Sequence, residues 1–125
     1  MKIHYQPKWF AHNNWAFDQW FDAKTFKWSH SSLYLAAYCY MHFDKWWDAK
    51  AFNWDNSSAY LAWYCNGHFT KWWDAKTFNF ENGNIALMRY CMAHIDTWYD
   101  AKHFQYTKAE LLWLHLKTQM EKHLQ

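Results

Sequence analysis

A ten-residue phrase recurs along this chain. It reads KWWDAKAFNW at 45–54 and KWWDAKTFNF at 71–80, with worn copies QWFDAKTFKW at 19–28 and TWYDAKHFQY at 97–106. The step is 26 residues throughout. It aligns Asp22, Asp48, Asp74 and Asp100 in one column, Lys24, Lys50, Lys76 and Lys102 in a second, and Phe26, Phe52, Phe78 and Phe104 in a third. Between 46–71 and 72–97, twelve of the 26 positions are identical, so the unit is a duplicated structural brick. A fixed period in this range is the mark of stacked repeats, in which each unit covers its neighbour's apolar face.

The brick is helical by composition. Twelve Trp, nine Tyr and ten Phe supply the apolar surface, while valine is absent, and strands draw on aliphatic β-branched residues as well as aromatics. One proline (Pro7) and two glycines (Gly67, Gly83) are too few for a hairpin-rich fold. The expected architecture is all-α: a right-handed stack of two-helix units with a longer C-terminal capping helix. The 125 residues then form a single domain, divided into a degraded half-repeat (1–19), units at 20–45, 46–71 and 72–97, and a last unit with its cap at 98–125.

Within a unit, the first helix is expected to start at a polar cap, Ser29, Asp55, Glu81 or Thr107, the last heading a T-x-x-E capping box with Glu110. The second is expected to start at Asp18, Asp44, Thr70 or Asp96 and to run through KWWDAKxF for two to three turns, with the Asp of DAK a charge in its first turn. On that reading Trp46, Ala49 and Phe52 share a face, the alanine giving room for the next unit, and tryptophan rings form ladders along the stack. Leu35, Leu61 and Leu87 lie three residues before Tyr38, Tyr64 and Tyr90 and read as core columns. In the tail, Ala109, Trp113, Leu116, Met120 and Leu124 make an apolar stripe expected to close the stack. LAWYCNGHFTKWWDAKTFNF and its copies, covering about residues 17–116, resemble short tandem helical repeats of the leucine-rich-variant and HEAT-like kind. The resemblance implies a solenoid architecture. It carries no function, because the prolines of the first family are missing and the units are shorter than those of the second.

Several functions are excluded by what the chain lacks. It has no Gly-rich phosphate loop, G-x-S-x-G or H-E-x-x-H motif, and it reads as a non-enzyme that needs no cofactor. The pairs Cys39/His42, Cys65/His68 and Cys91/His94 have ligand spacing. Successive pairs lie one helix-packing distance apart, about 8–10 Å, too far to close a four-ligand zinc site, so no metal is expected. The thiols read as buried and the histidines as donors to helix-terminal carbonyls. Net charge is only +2, and the longest apolar run is half the length of a membrane span. The N-terminus shows no apolar signal core, and an odd cysteine count fits a reducing cytoplasm.

If the constant columns are scaffold, recognition falls to the variable ones. The column Ala37, Trp63, Arg89, His115 forms a ridge across the first helices, flanked by a second set, Tyr40, Asn66 and Met92. Trp and Arg are the commonest interface anchors. The expected function is therefore a protein-binding module, a scaffold or an occluding inhibitor of a larger protein, as in phage–host defence. Two alternatives stand beside it: single-stranded nucleic-acid or glycan binding through exposed aromatics, and self-assembly by end-to-end stacking.

Overall fold

The computed structural model describes residues 1–124, which form helices and turns with no strand; Gln125, the last residue of the 98–125 unit, lies outside the described residues. The principal elements are three 11-residue helices starting 26 residues apart, α3 (Trp28–Tyr38), α5 (Trp54–Tyr64) and α7 (Phe80–Tyr90). They pack in sequence, α3 against α5 and α5 against α7. Each is followed by a short 3₁₀ turn and a single helical turn, α4 (Phe43–Trp46), α6 (Phe69–Trp72) and α8 (Ile95–Trp98). The N-terminal half-unit supplies α1 (Pro7–Asn13) and α2 (Phe17–Trp20), and α9 (Lys108–His123) closes the order.

The second helix of each unit is shorter than the sequence leads one to expect. It stops at the first tryptophan of WWD, and the backbone turns extended at Trp47 and Trp73. The phrase DAK is the reason. Asp22, Asp48, Asp74 and Asp100 accept the N–H of Lys24, Lys50, Lys76 and Lys102 at 3.0, 3.0, 3.0 and 2.9 Å. A carboxylate taking the N–H two residues ahead offers the chain a turn in place of a helix. These aspartates are thus turn-formers, and Asp18, Asp44 and Asp96 lie inside the short helices rather than capping them. Ala49 and Ala75 stand exposed in the turn and space nothing. The Ala49 carbonyl instead accepts the Trp54 indole N–H at 2.8 Å.

The long helices begin two residues earlier than expected. Their caps are Asn53 and Asn79, whose side chains accept the N–H of Asp55 and Asn56 and of Asn82 respectively. Lys27 takes the corresponding place before α3 without a side-chain cap. Ser29, Asp55 and Glu81 are already within the first turn. Thr107 does cap α9 in a full capping box with Glu110.

Each unit gathers its rings around one buried tryptophan. Trp20, Trp46, Trp72 and Trp98 donate their indole N–H to the carbonyls of Asn13, Cys39, Cys65 and Cys91 at 2.6–2.8 Å. This satisfies the one polar atom that burial of an indole would strand. Phe43 meets Trp46 edge-on at 5.1 Å, and Phe69 meets Trp72 in the same way. Among the described residues no ring pair joins Trp46 to Trp72 or Trp72 to Trp98. The expected tryptophan ladder is replaced by a Phe–His one. His42, His68 and His94 stack on Phe17, Phe43 and Phe69 of the preceding unit at 4.7, 4.4 and 4.3 Å. His42 reaches back further, its Nε2 lying 3.0 Å from the Asn14 carbonyl. The recurring histidines therefore bind units together instead of closing their own helix ends.

Hydrogen bonds reinforce the packing at two junctions. The Ser32 hydroxyl accepts the Asn53 N–H at 3.0 Å, and the Asn53 amide donates to the Ser29 carbonyl at 2.7 Å. Ser58, Asn79 and Asp55 repeat this arrangement one unit on, at 3.1 and 2.7 Å. A single asparagine therefore caps its own helix and ties it to the one before.

Candidate functional site

The long helices bury Leu35, Leu61 and Leu87 completely, yet the tyrosines three residues later reach the surface. Tyr38 and Tyr64 are half-buried and Tyr90 is exposed. A tyrosine ending a helix can lay its ring on apolar neighbours and keep its hydroxyl in water. The expectation that this column is core is corrected accordingly.

Trp63 lies in the middle of these tyrosines. Its indole stacks on Tyr64 at 4.9 Å and, across the junction, on Tyr90 at 5.6 Å with planes 6° apart, while 46% of the residue stays exposed. Tyr60 stacks on Tyr64 at 6.2 Å. Burial pushes the Tyr64 hydroxyl above its ordinary pKa, and Tyr38, Tyr60 and Tyr90 add to the shift because a phenolate there would face theirs. Four tyrosines and a tryptophan thus share one patch spanning three units.

The expected contact residues fall into two hollows on either side of Tyr90. The first, about 520 Å³, is lined by Ala37, Tyr38, Tyr40, Met41, Trp63 and Tyr64, among others. The second, about 560 Å³, lies between α7 and α9 and takes Arg89, Met92 and His115 with Tyr90, Tyr106 and Lys122. Trp63 and Tyr40 belong to the first, and Arg89, Met92 and His115 to the second. Asn66 belongs to neither: its amide donates to the Trp63 carbonyl at 2.9 Å, closing the end of α5. Arg89 is exposed and has no ion-pair partner among the described residues. Sequence reasoning missed Tyr38, Tyr64 and Tyr90 because a constant column reads as scaffold. The signal that could have found them is the hydroxyl kept at a position where leucine would pack as well.

The Cys and His columns have separate partners. The three cysteines are free and buried. Cys65 and Cys91 donate their thiols to the Ala36 and Ala62 carbonyls of the preceding long helix at 3.7 and 3.5 Å. Burial pushes Cys39, Cys65 and Cys91 up to about 12, which leaves thiolate scarce at neutral pH. Among the described residues no three His, Cys, Asp or Glu side chains gather in a group that could hold a metal ion. No helix there is long and apolar enough to cross a membrane.

A charged edge runs beside the short helices. Lys45 pairs with Asp18 at 2.8 Å and Lys71 with Asp44 at 2.7 Å. These hydrogen bonds hold the Asp18 and Asp44 carboxyls below their usual range. Both pairs are exposed, and they serve as surface ties between units rather than as a site.

Compared with protein families, curated proteins and solved structures, the chain gives no match.

Proposed function

We propose that the chain is a non-enzymatic protein-binding module, a right-handed stack of 26-residue helical units whose tyrosine–tryptophan face docks on a larger protein. The observation that carries this reading is the Trp63–Tyr90 stack, an aromatic pair bridging two units and left open to solvent with Tyr40, Met41 and Arg89 around it. Rigid aromatic rings present large contact area with little conformational entropy to lose, and Trp, Tyr and Arg dominate interface hot spots. Two flanking hollows give a partner's side chains somewhere to enter. Occlusion of a larger protein in a reducing cytoplasm, where unpaired thiols persist, is the setting this favours.

The test is a photo-crosslinking residue at position 40, exposed on this face, in the full chain incubated with lysate of its source cell. The expected result is one dominant adduct that is lost in Trp63→Ala and Arg89→Ala, with both variants keeping the wild-type circular dichroism spectrum. An adduct that forms equally in both variants removes the proposal. Binding of an oligothymidine that falls steeply with salt supports nucleic acid instead.

A further inference from the structure

The last helix faces the wrong way for a cap. At 3.6 residues per turn, Leu111, His115, Thr118 and Lys122 lie along one side of α9, and Ala109, Trp113, Leu116, Met120 and Leu124 along the opposite side. The first side meets the body through its first turns: Leu111 is 3% exposed and His115 half-buried, while Thr118 and Lys122 are exposed at the rim of the hollow against α7. The second side is the apolar stripe expected to close the stack, and it points to solvent. Trp113 is 59% exposed, Leu116 60%, Met120 65% and Leu124 86%. An amphipathic helix has thus docked through its mixed face and left its apolar face without a complement among the described residues.

We propose that this face is a dimer seam, and that a second copy of the chain covers it by antiparallel pairing of α9 with α9. Three observations choose that occupant. The first is spacing. Ala109, Trp113, Leu116 and Met120 follow one another at four, three and four residues, the a/d pattern of a narrow coiled-coil seam rather than the broad stripe of a globular core. The second is area. With Leu112 and Leu124 beside them, these residues expose on the order of 650 Å², the greater part of the roughly 800 Å² that each partner of a standard interface buries.

The third is charge. A twofold axis midway between residues 114 and 115 sets Trp113 against Leu116 of the second copy and Ala109 against Met120 of the second copy. It also brings Glu110 toward Lys117 of the second copy. A parallel in-register pair would instead set Lys117 beside Leu112 of the second copy and leave Glu110 facing position 105, ahead of the helix, so that neither charge is met. The antiparallel arrangement also places the two bodies at opposite ends of the seam, since α9 is anchored at its start by the Lys108–Asp96 ion pair and by Leu111. Lys117 lies 5.3 Å from the Trp113 ring centre and would stay beside it at the seam's edge.

Sedimentation velocity of the full chain over about 1–100 µM, which brackets a dissociation constant in the micromolar range, tests this. The expected result is a shift from a 15.6 kDa species to one of twice that mass as concentration rises. Leu116→Glu and Met120→Glu stay at single mass throughout. Both positions are largely exposed, so an unchanged far-ultraviolet spectrum shows that each variant is folded. Lys117→Glu weakens the dimer at least several-fold. Trp63→Ala, outside the seam, dimerises as the wild type does. A wild type that remains at single mass at the highest concentration overturns the proposal and means that something other than a second copy covers the face. So does a Leu116→Glu variant that still doubles in mass, or an open series of larger species.

Discussion

The junction between α5 and α7 and the one between α7 and α9 occupy equivalent places in the sequence but are built differently. At the first, Ser58 accepts the Asn79 N–H, the Asn79 amide binds the Asp55 carbonyl, the Cys91 thiol binds the Ala62 carbonyl, and His94 stacks on Phe69. At the second, every one of these residues has changed. Asn84 stands for the serine, Gln105 for the asparagine, Lys117 for the cysteine and Met120 for the histidine. What holds α9 is Leu111 and an exposed ion pair from Lys108 to Asp96. The helices themselves do not differ in kind, since α9 is longer and better capped than α7. The difference teaches that a repeat junction here depends on a few directional bonds, and that an amphipathic helix without them does not turn its apolar face to the body.

Breaking the inner side of this comparison should give the largest effect. Trp72 is 1% exposed and its indole N–H is bonded, so Trp72→Ala is expected to destabilise by about 3–5 kcal/mol in urea unfolding. Trp113→Ala, on the outer face of α9, should change the stability of the single chain, measured below the association range, by no more than about 0.5 kcal/mol. Alkali is the next lever. Burial holds the three thiols at about 12, above the ordinary cysteine value that the unfolded chain regains, so the folded state keeps protons that the unfolded state releases. Their contribution is complete below the ordinary thiol pKa and is lost as pH rises toward about 12. Thermal melts at pH 8 and pH 10.5 should differ accordingly, and native thiols should resist iodoacetamide at pH 8 until the chain is unfolded.

Removing one tie tests the junction more finely. Ser58→Ala leaves the Asn79 N–H without its acceptor and should cost about 1–3 kcal/mol. The converse change sharpens the comparison. Asn84→Ser with Gln105→Asn restores the tie before α9 and should add about 1 kcal/mol, read as slower amide exchange at residues 108–111. The smallest effect is expected from acid. The carboxyls of Asp18 and Asp44 are held down by Lys45 and Lys71, so their contribution is present above the ordinary carboxylate pKa and disappears as pH falls through the lowered value. Asp44→Asn should slightly flatten the stability profile in that acid range, and molar salt should do the same to the wild type.

The period, the helical class and the start of α9 were legible because duplication and the capping box are local facts of sequence. Trp63 and Arg89 stood out because no two copies of their column are alike, and both side chains are exposed. DAK was misread because Asp, Ala and Lys suit the first turn of a helix as well as a side-chain-closed turn. Only the competing N–H at Lys50 or Lys76 tells the two apart. The tyrosine column was misread because constancy looks the same for a buried ring and for one with its hydroxyl in water.

Sequence by itself therefore determined which residues are apolar, how often they return and where helices can begin. The tertiary structure alone decided which unit each ring touches, which asparagine ties two helices and which side of α9 meets the body. Periodicity marks a face on a helix, but the direction in which that face points is set by contacts many residues away, and those exist only once the neighbouring unit is in place.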